Sequence, residues 1–374
     1  MQSQTVTVLH LASWYPSKVH PTLGNFVAEH VLAIQTKTKG AVLGAFAADA
    51  NSIDYRVENG VPVCRVYFKK KLPFTSYLNA LKLGYQELVS RGFTFDLAHL
   101  HVAYPAGLFL LRLKLPYLIS EHFSAYQKNR RQDLTLAQKL ASKLIFNKAQ
   151  VVAPVSDQLG ISLQEFGVKS PQVTIGNVVN TNIFHFKPKV ASKVFRVLHI
   201  SSLQESTKNI SGIISAFADF HKRFPLSILN IGGDGDAEDL LKHIKETNLP
   251  HEAYRILPAL SKEAVAREIE ESDCFLLFSH IENQPVVILE SLCMGRPVIA
   301  TRVGGIPQLV DKSRGILIEA NKQGHLIEAL EEMYQNHRNY KAKKMASIAQ
   351  SEFGYEAIAE KFSQVYASVL RLDA

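Results

Sequence analysis

Residues 274–300, CFLLFSHIENQPVVILESLCMGRPVIA, hold two strand-like apolar runs on either side of a helix-length segment. An apolar run ends at residue 278, a polar loop follows, then an apolar segment of helix length, then a second strand-like run from Val298. A strand, helix and strand in that order imply a parallel pair joined by a right-handed crossover. Glu282 then lies in the loop at the first strand's carboxyl end and Glu290 on the following helix. Pro285 reads as the first helical residue, where a missing N–H is harmless. At a rise of about 1.5 Å per residue the two carboxylates stand roughly 8–10 Å apart, too far for a retaining hydrolase pair. Between them the helix start, with free amides at Val286 and Val287, is an anion site. Carboxylates suit vicinal hydroxyls, and a helix start suits a diphosphate. An apolar helix makes a buried Glu290 costly unless it is partnered.

The same alternation extends over nearly the whole chain. Strand runs in the first half are Val6–Leu11, Ala41–Ala47, Val61–Phe68, Leu97–Val102, Tyr117–Ser120, Val151–Pro154 and Val173–Ile175. Helical patterns fall at Phe26–Thr36 and Leu136–Asn147, the latter with lysines on its polar face. After a polar join at His185–Lys193, strands at Arg196–Ile200, Ser227–Ile231, Arg255–Pro258, Cys274–Phe278, Val298–Thr301 and Gly315–Ile318 alternate with five helical segments. The fold class is α/β, with two doubly wound domains that bind ligands beyond the carboxyl ends of their strands, in the cleft between them. Two closing helical stretches, Tyr340–Gln350 and Tyr355–Leu370, have no strand after them. They must pack somewhere, and the polar join sets the domain boundary at 188/189.

Composition narrows the class further. The chain has 374 residues, 47% hydrophobic and 20% charged, a globular balance that excludes disorder and collagen. Its net charge of +8 is uneven: residues 1–190 carry 21 basic and 10 acidic side chains, residues 191–374 carry 21 and 24. The cationic first half therefore calls for an anionic partner. Three scattered cysteines, Cys64, Cys274 and Cys293, make neither a disulfide framework nor a zinc cage and read as buried thiols. The stretch MQSQTVTVLHLAS lacks the pattern of a signal peptide, and Arg112 and Lys114 interrupt the longest apolar stretch. The expectation is a soluble cytoplasmic protein. No P-loop, nucleophile elbow or HExxH occurs, and the Gly232-Gly233-Asp234-Gly235-Asp236 run lacks the third glycine of a dinucleotide fingerprint.

The spacing Glu282–Glu290 resembles the E-x7-E signature of retaining glycosyltransferases of family 4, which have the GT-B architecture. Other segments resemble that family in the same order. They are Trp14-Tyr15-Pro16 with the Pro21–Val27 loop, Asp96-Leu97-Ala98-His99-Leu100-His101, Ser120-Glu121-His122, Pro154-Val155-Ser156 and Gly176-Asn177-Val178-Val179-Asn180. Further along come Lys208-Asn209 and Gly304-Gly305-Ile306-Pro307, and then the closing helix Phe353–Leu370, which resembles the one that returns to the first domain and so implies domains at 1–188 plus 354–374 and at 189–353. The resemblance implies transfer of a sugar from a nucleotide-diphosphate donor, UDP or GDP, to a glycan or lipid-linked acceptor, in surface polysaccharide or glycolipid synthesis. It places Glu290 on the ribose hydroxyls, and Glu282 on the transferred sugar with the backbone of Asn283 and Gln284. It places Lys208 on the diphosphate, and Gly24 and Asn25 in a loop over the donor. His122 would contact the donor sugar or orient the acceptor, with His99 and His101 on the acceptor side. The catalytic set is thus His122, Lys208 and Glu282. No cofactor or metal is required when Lys208 and the helix start carry the phosphate charge.

Some positions depart from the family pattern. Ser201-Ser202-Leu203 stands where an arginine precedes the lysine, so one arm of the diphosphate clamp is either missing or supplied elsewhere, with Arg302 the candidate; Asn283 replaces a glycine and Gln308 a glutamate. His99 and His101 share a strand face at metal-ligand spacing, with no third ligand near in sequence. His10, His185 and His199 read as structural or strand-edge residues. Lys69, Lys70, Lys71, Lys128, Arg130, Arg131, Lys139, Lys143 and Lys148 form a basic face that leans on an anionic membrane surface, making the protein peripheral there. Nucleic acid is not expected, since aromatics do not interleave with these charges. The rival readings are a sugar-nucleotide 2-epimerase of the same architecture and a non-catalytic sugar-nucleotide-binding protein.

Overall fold

Alternating strands and helices do close into two separate units. A computed structural model describes residues 5–69, 73–235 and 237–372; Lys70, Lys71 and Asp236, singled out above, lie outside them. The first unit comprises Met1–Val178 with Tyr355–Ala374, and the second Val179–Gly354.

In the first unit the strands are β1 (Thr7–Ala12), β2 (Lys39–Ala47), β3 (Ser52–Glu58), β4 (Val61–Phe68), β5 (Leu97–His101), β6 (Tyr117–Glu121) and β7 (Val151–Pro154). They order as β3-β4-β2-β1-β5-β6-β7. All neighbours are parallel except β3 and β4, a hairpin turned by Asn59 and Gly60 at φ 49° and 80°. β3, SIDYRVE, is not among the strands read from the sequence; it alternates Ile53, Tyr55 and Val57 with polar residues, but as an edge strand it leaves Ile53 and Val57 exposed. Val173–Ile175 is not a strand; it contributes single backbone bonds from Val173 to Val152 and from Ile175 to Pro154. Two unread helices, Pro73–Ser90 and Asp157–Phe166, also cover the sheet.

In the second unit β8 (Phe195–Ser201), β9 (Ser227–Gly233), β10 (Tyr254–Leu257), β11 (Cys274–Leu277), β12 (Val298–Thr301) and β13 (Gly315–Ile318) form a wholly parallel sheet ordered β10-β9-β8-β11-β12-β13. The division falls at Val178, ten residues before the sequence boundary. The segment after it is apolar on its inner side: Val179 and Phe184 lie in the core with Leu198 and Ile288. Val179 N–H also donates to Phe353 O at 2.8 Å. The polar composition of 185–193 marks a surface crossing, not a hinge.

The closing helix Tyr355–Leu372 belongs to the first unit, where Ile358, Phe362, Val365, Tyr366 and Val369 pack on Val8, Leu97 and Leu118. Burying a side chain such as Phe362 completely stabilises by roughly 1.5–3 kcal/mol. Tyr355 donates to Glu29 on the helix Asn25–Ile34. The helix Leu136–Lys148 buries Ser142, Ile145 and Phe146 and turns its leucines outward. None of the described helices is long and apolar enough to cross a membrane.

Candidate functional site

Strand order places the chemistry. In the second sheet, successive strands run one way from β8 to β10 and the other way from β11 to β13, so the reversal lies between β8 and β11. A crevice opens at the carboxyl ends of such a pair. Lys208 follows β8 and Glu282 follows β11. The chain turns after β8 through Leu203 at φ 53° into the short helix Glu205–Lys208, which Asn209 ends at φ 51°. That turn brings the Lys208 ammonium onto Glu282 Oε1 as an ion pair. Ser279 Oγ donates to the same oxygen at 2.8 Å, and Thr301 Oγ1 donates to Ser279 O at 2.7 Å. His280 N–H donates to Thr207 O at 2.8 Å, tying the two loops together. Glu282 is 8% exposed, so this carboxylate is desolvated and held by cation and hydroxyl together.

Close backbone approach explains the glycines here. A Cβ on Gly304, at φ +53°, would stand 1.8 Å from Glu282 O. Gly305 N–H donates to Asn283 O at 2.6 Å, so the Gly304-Gly305 loop braces the Glu282 loop from the β12 side. A Cβ on Gly233 would meet Ser201 O at 1.6 Å.

Pro285 is the cap residue, at φ −70° and ψ 120°, and Val286 is the first helical residue. The helix Val286–Cys293 still points its start to the carboxyl end of the sheet, with Val286 and Val287 half-buried. Gln284 is buried and Asn283 half-buried. Glu290 is half-exposed, not a core carboxylate, because its helix turns that side to solvent. Arg302, after β12, pairs with Glu319 at 3.4 Å, and both side chains are exposed. A network the sequence did not reveal lies beneath the lysine. His199 Nδ1–H donates to Leu276 O at 2.9 Å, Nε2 of the neutral ring accepts from Ser201 Oγ at 2.8 Å, and Ser201 Oγ accepts Leu203 N–H at 3.1 Å. Burial lowers the His199 pKa to about 4, with Lys208 acting in the same direction. The only advance signal was a histidine in an otherwise apolar strand.

In the first unit the order reverses between β1 and β5. Gly24, at φ +79°, caps the helix Asn25–Ile34, and a Cβ there would stand 2.6 Å from Trp14 C and O. Asn25 is exposed beside it. His99 and His101 are fully buried on β5. The third imidazole that sequence proximity did not supply comes from β1: His10 sits opposite His99 in register. One ring nitrogen of each of the three lies within 4.8 Å of the others, a spacing a metal would fit. His99 bonds Tyr366 OH and Ser120 Oγ at 2.7 Å each and His10 Nδ1 bonds His101 Nε2 at 3.2 Å, while the buried His10 Nε2 and His101 Nδ1 have no bonding partner among the described residues. His30 joins them, its ring centroid 6.5 Å from that of His101. Burial holds His10 near pKa 3 and His30 near 4, and drives His99 and His101 well below the usual value. His99 and His101 are thus core residues.

His122, half-buried after β6, lies 4.5 Å from Phe26 and 5.2 Å from His30 by ring centroids. The preceding carboxylate fixes its backbone. Glu121 accepts N–H bonds from His122 and Phe123 at 2.8 Å and from Ala103 at 2.9 Å, and burial raises its pKa to about 7. Of the basic face, Arg130 is held by Asp133 and Ser124, and Arg131 by Ser162 O and Glu165.

A separate cavity of about 550 Å³ opens near Arg314 and Tyr340, at the amino edge of β13 and away from Lys208 and Glu282.

Residues 180–352 match the family described as Glycosyl transferases group 1, and residues 42–183 the Glycosyltransferase Family 4. An uncharacterized glycosyltransferase of Methanocaldococcus jannaschii is 26% identical over 86% of this chain and 88% of its own length. A putative teichuronic acid biosynthesis glycosyltransferase of Bacillus subtilis is 22% identical over 85% and 83%. Among solved structures, sucrose-phosphate synthase of Thermosynechococcus elongatus superposes with a TM-score of 0.80 at 16% identity, covering 98% of this chain and all of the other. Anabaena HepE in complex with UDP and glucose gives 0.75 at 17%, covering 97% and 100%. These neighbours share the GT-B fold.

Proposed function

The chain belongs to glycosyltransferase family 4, and from that footing we propose that it transfers a sugar from a nucleotide-diphosphate donor, with retention at the anomeric carbon. The observation that carries this reading is the Lys208–Glu282 pair at the switch point of the second sheet. The lysine meets the diphosphate, where negative charge grows as the glycosidic bond breaks, and so acts on the transition state more than on the bound donor. Glu282, released from Lys208 when phosphate arrives, accepts from hydroxyls of the transferred sugar, with Ser279 holding it in place. The start of the helix Val286–Cys293 adds backbone donors for phosphate oxygens. Half-exposed Glu290, two turns along, accepts from the ribose hydroxyls. The HepE complex with UDP and glucose supports a nucleotide-sugar donor on this fold. The relative assigned to teichuronic acid synthesis supports a glycan or lipid-linked acceptor.

His122 is the first unit's candidate at the reacting sugar. Glu121 holds its peptide in place, and Gly24 and Asn25 form the other candidate loop. The chemistry proposed here uses charge from Lys208 and backbone dipoles and needs no metal or cofactor. Glu290→Ala is expected to weaken nucleotide diphosphate binding about tenfold or more while leaving the melting temperature unchanged, as measured by calorimetric titration with UDP, GDP and ADP. Unchanged affinity for all three would remove the ribose assignment.

A further inference from the structure

One helix of the first unit carries its leucines on the outside. The helix Leu136–Lys148, LAQKLASKLIFNK, opens on a capping box between Thr135 and Gln138 and buries Ser142, Ile145 and Phe146. Tyr126 OH and Ser142 Oγ share a bond of 2.9 Å, fixing the buried side. Leu136, Leu140 and Leu144 recur every fourth residue, which stacks them along one face. They are 72%, 61% and 50% exposed. Scattered exposed leucines need no explanation, but three in a ridge on a rigid helix make an apolar strip. The same helix carries Lys139, Lys143 and Lys148 and no acidic residue. Lys143 and Lys148 are exposed, and Lys139 flanks the ridge half-buried.

We infer that this helix seats the first unit on an anionic phospholipid surface, its leucines entering the boundary of headgroups and acyl chains and its lysines meeting lipid phosphates. A second copy of the chain is a poorer occupant. A two-fold contact through the ridge brings like-charged lysines together, whereas an anionic bilayer offers apolar and negative surface side by side. Arg130 and Arg131 add little, because protein partners already hold them. The placement goes beyond the reading as a sugar transferase and is tested without any measurement of transfer.

The experiment is co-sedimentation of the full chain with phosphatidylcholine vesicles containing about one third phosphatidylglycerol, at low and at high salt. The chain is expected to pellet with these vesicles and not with pure phosphatidylcholine, and to lose about tenfold in binding at high salt. The Leu136→Ser/Leu140→Ser/Leu144→Ser variant is expected to lose about tenfold or more at low salt with an unchanged melting temperature. Lys139→Gln/Lys143→Gln/Lys148→Gln is expected to lose the salt-sensitive part. Equal pelleting of the leucine variant and the natural chain would overturn the proposal, as would no pelleting of either. A concentration-dependent dimer that the leucine variant abolishes would assign the ridge to a second copy and overturn it as well.

Discussion

Lys208→Ala is expected to lower turnover by about 10²–10³-fold while changing donor affinity far less. The argument is geometric. The ammonium lies at the carboxyl ends of β8 and β11 and already holds one carboxylate oxygen, so its charge is fixed where phosphate charge would grow. A cation positioned before the reaction needs no reorganisation as the bond breaks, and this makes its effect larger in the transition state than in the bound state. Removing the lysine also takes the cation away from a desolvated carboxylate, and breaking a buried pair costs stability. Melting curves therefore accompany the kinetics, with Lys208→Arg as the charge-preserving control. Steady-state rates against donor concentration separate the two effects. Equal losses in turnover and affinity, at unchanged melting temperature, would leave the lysine a uniform binding group.

The second large effect is acid unfolding of the first unit. His10, His30, His99 and His101 are fully buried, and desolvation holds all four below 6.5. An unfolded chain protonates each near 6.5, whereas the folded chain does not. Stability is therefore complete above that pH and is lost as pH falls toward the depressed folded values. Between pH 7 and 5 each imidazole costs about 2 kcal/mol, about 8 kcal/mol for the four. Glu121 acts with the opposite sign. Its pKa of about 7 lies above the usual 4.5, so the folded form takes up that proton first and returns about 2 kcal/mol. The remaining loss is comparable with the whole stability of an ordinary domain. Trp14, the single tryptophan, lies in the first unit with its ring 5.2 Å from Phe123. Its emission thus reports that unit alone. Urea midpoints followed by Trp14 fluorescence are expected to fall steeply from pH 7 to 5; a flat profile would contradict the neutral imidazole core.

The architecture was legible because parallel strands buried on both faces are written as apolar runs, and helices between them as amphipathic ones. CFLLF at 274–278 and the run from Val298 are of this kind, and both became strands of the second sheet. β3 carries a different signature, Ile53, Tyr55 and Val57 alternating with polar residues, and its apolar side stays largely exposed at the sheet edge. The orientation of the helix Leu136–Lys148, with its ridge of Leu136, Leu140 and Leu144, was not legible. Periodicity identifies that helix as amphipathic but cannot say which stripe faces the core when Ser142, Ile145 and Phe146 form a second one. At the site, Lys208 and Glu282 were singled out by spacing and resemblance, and the fold brings them into contact. Ser279, Thr301 and His199 were not singled out, since a hydroxyl or an imidazole at a strand end carries no pattern of its own. His10 joined His99 and His101 only through strand pairing across 89 residues of chain, a distance at which local pattern has no reach.

Release of nucleoside diphosphate from UDP-, GDP- and ADP-sugars by the purified chain tests the central claim most directly. The account predicts saturable release from one of these donor classes, reduced by about 10²–10³-fold in Lys208→Ala at unchanged donor binding. No release from any of the three, or release that Lys208→Ala leaves intact, would contradict it.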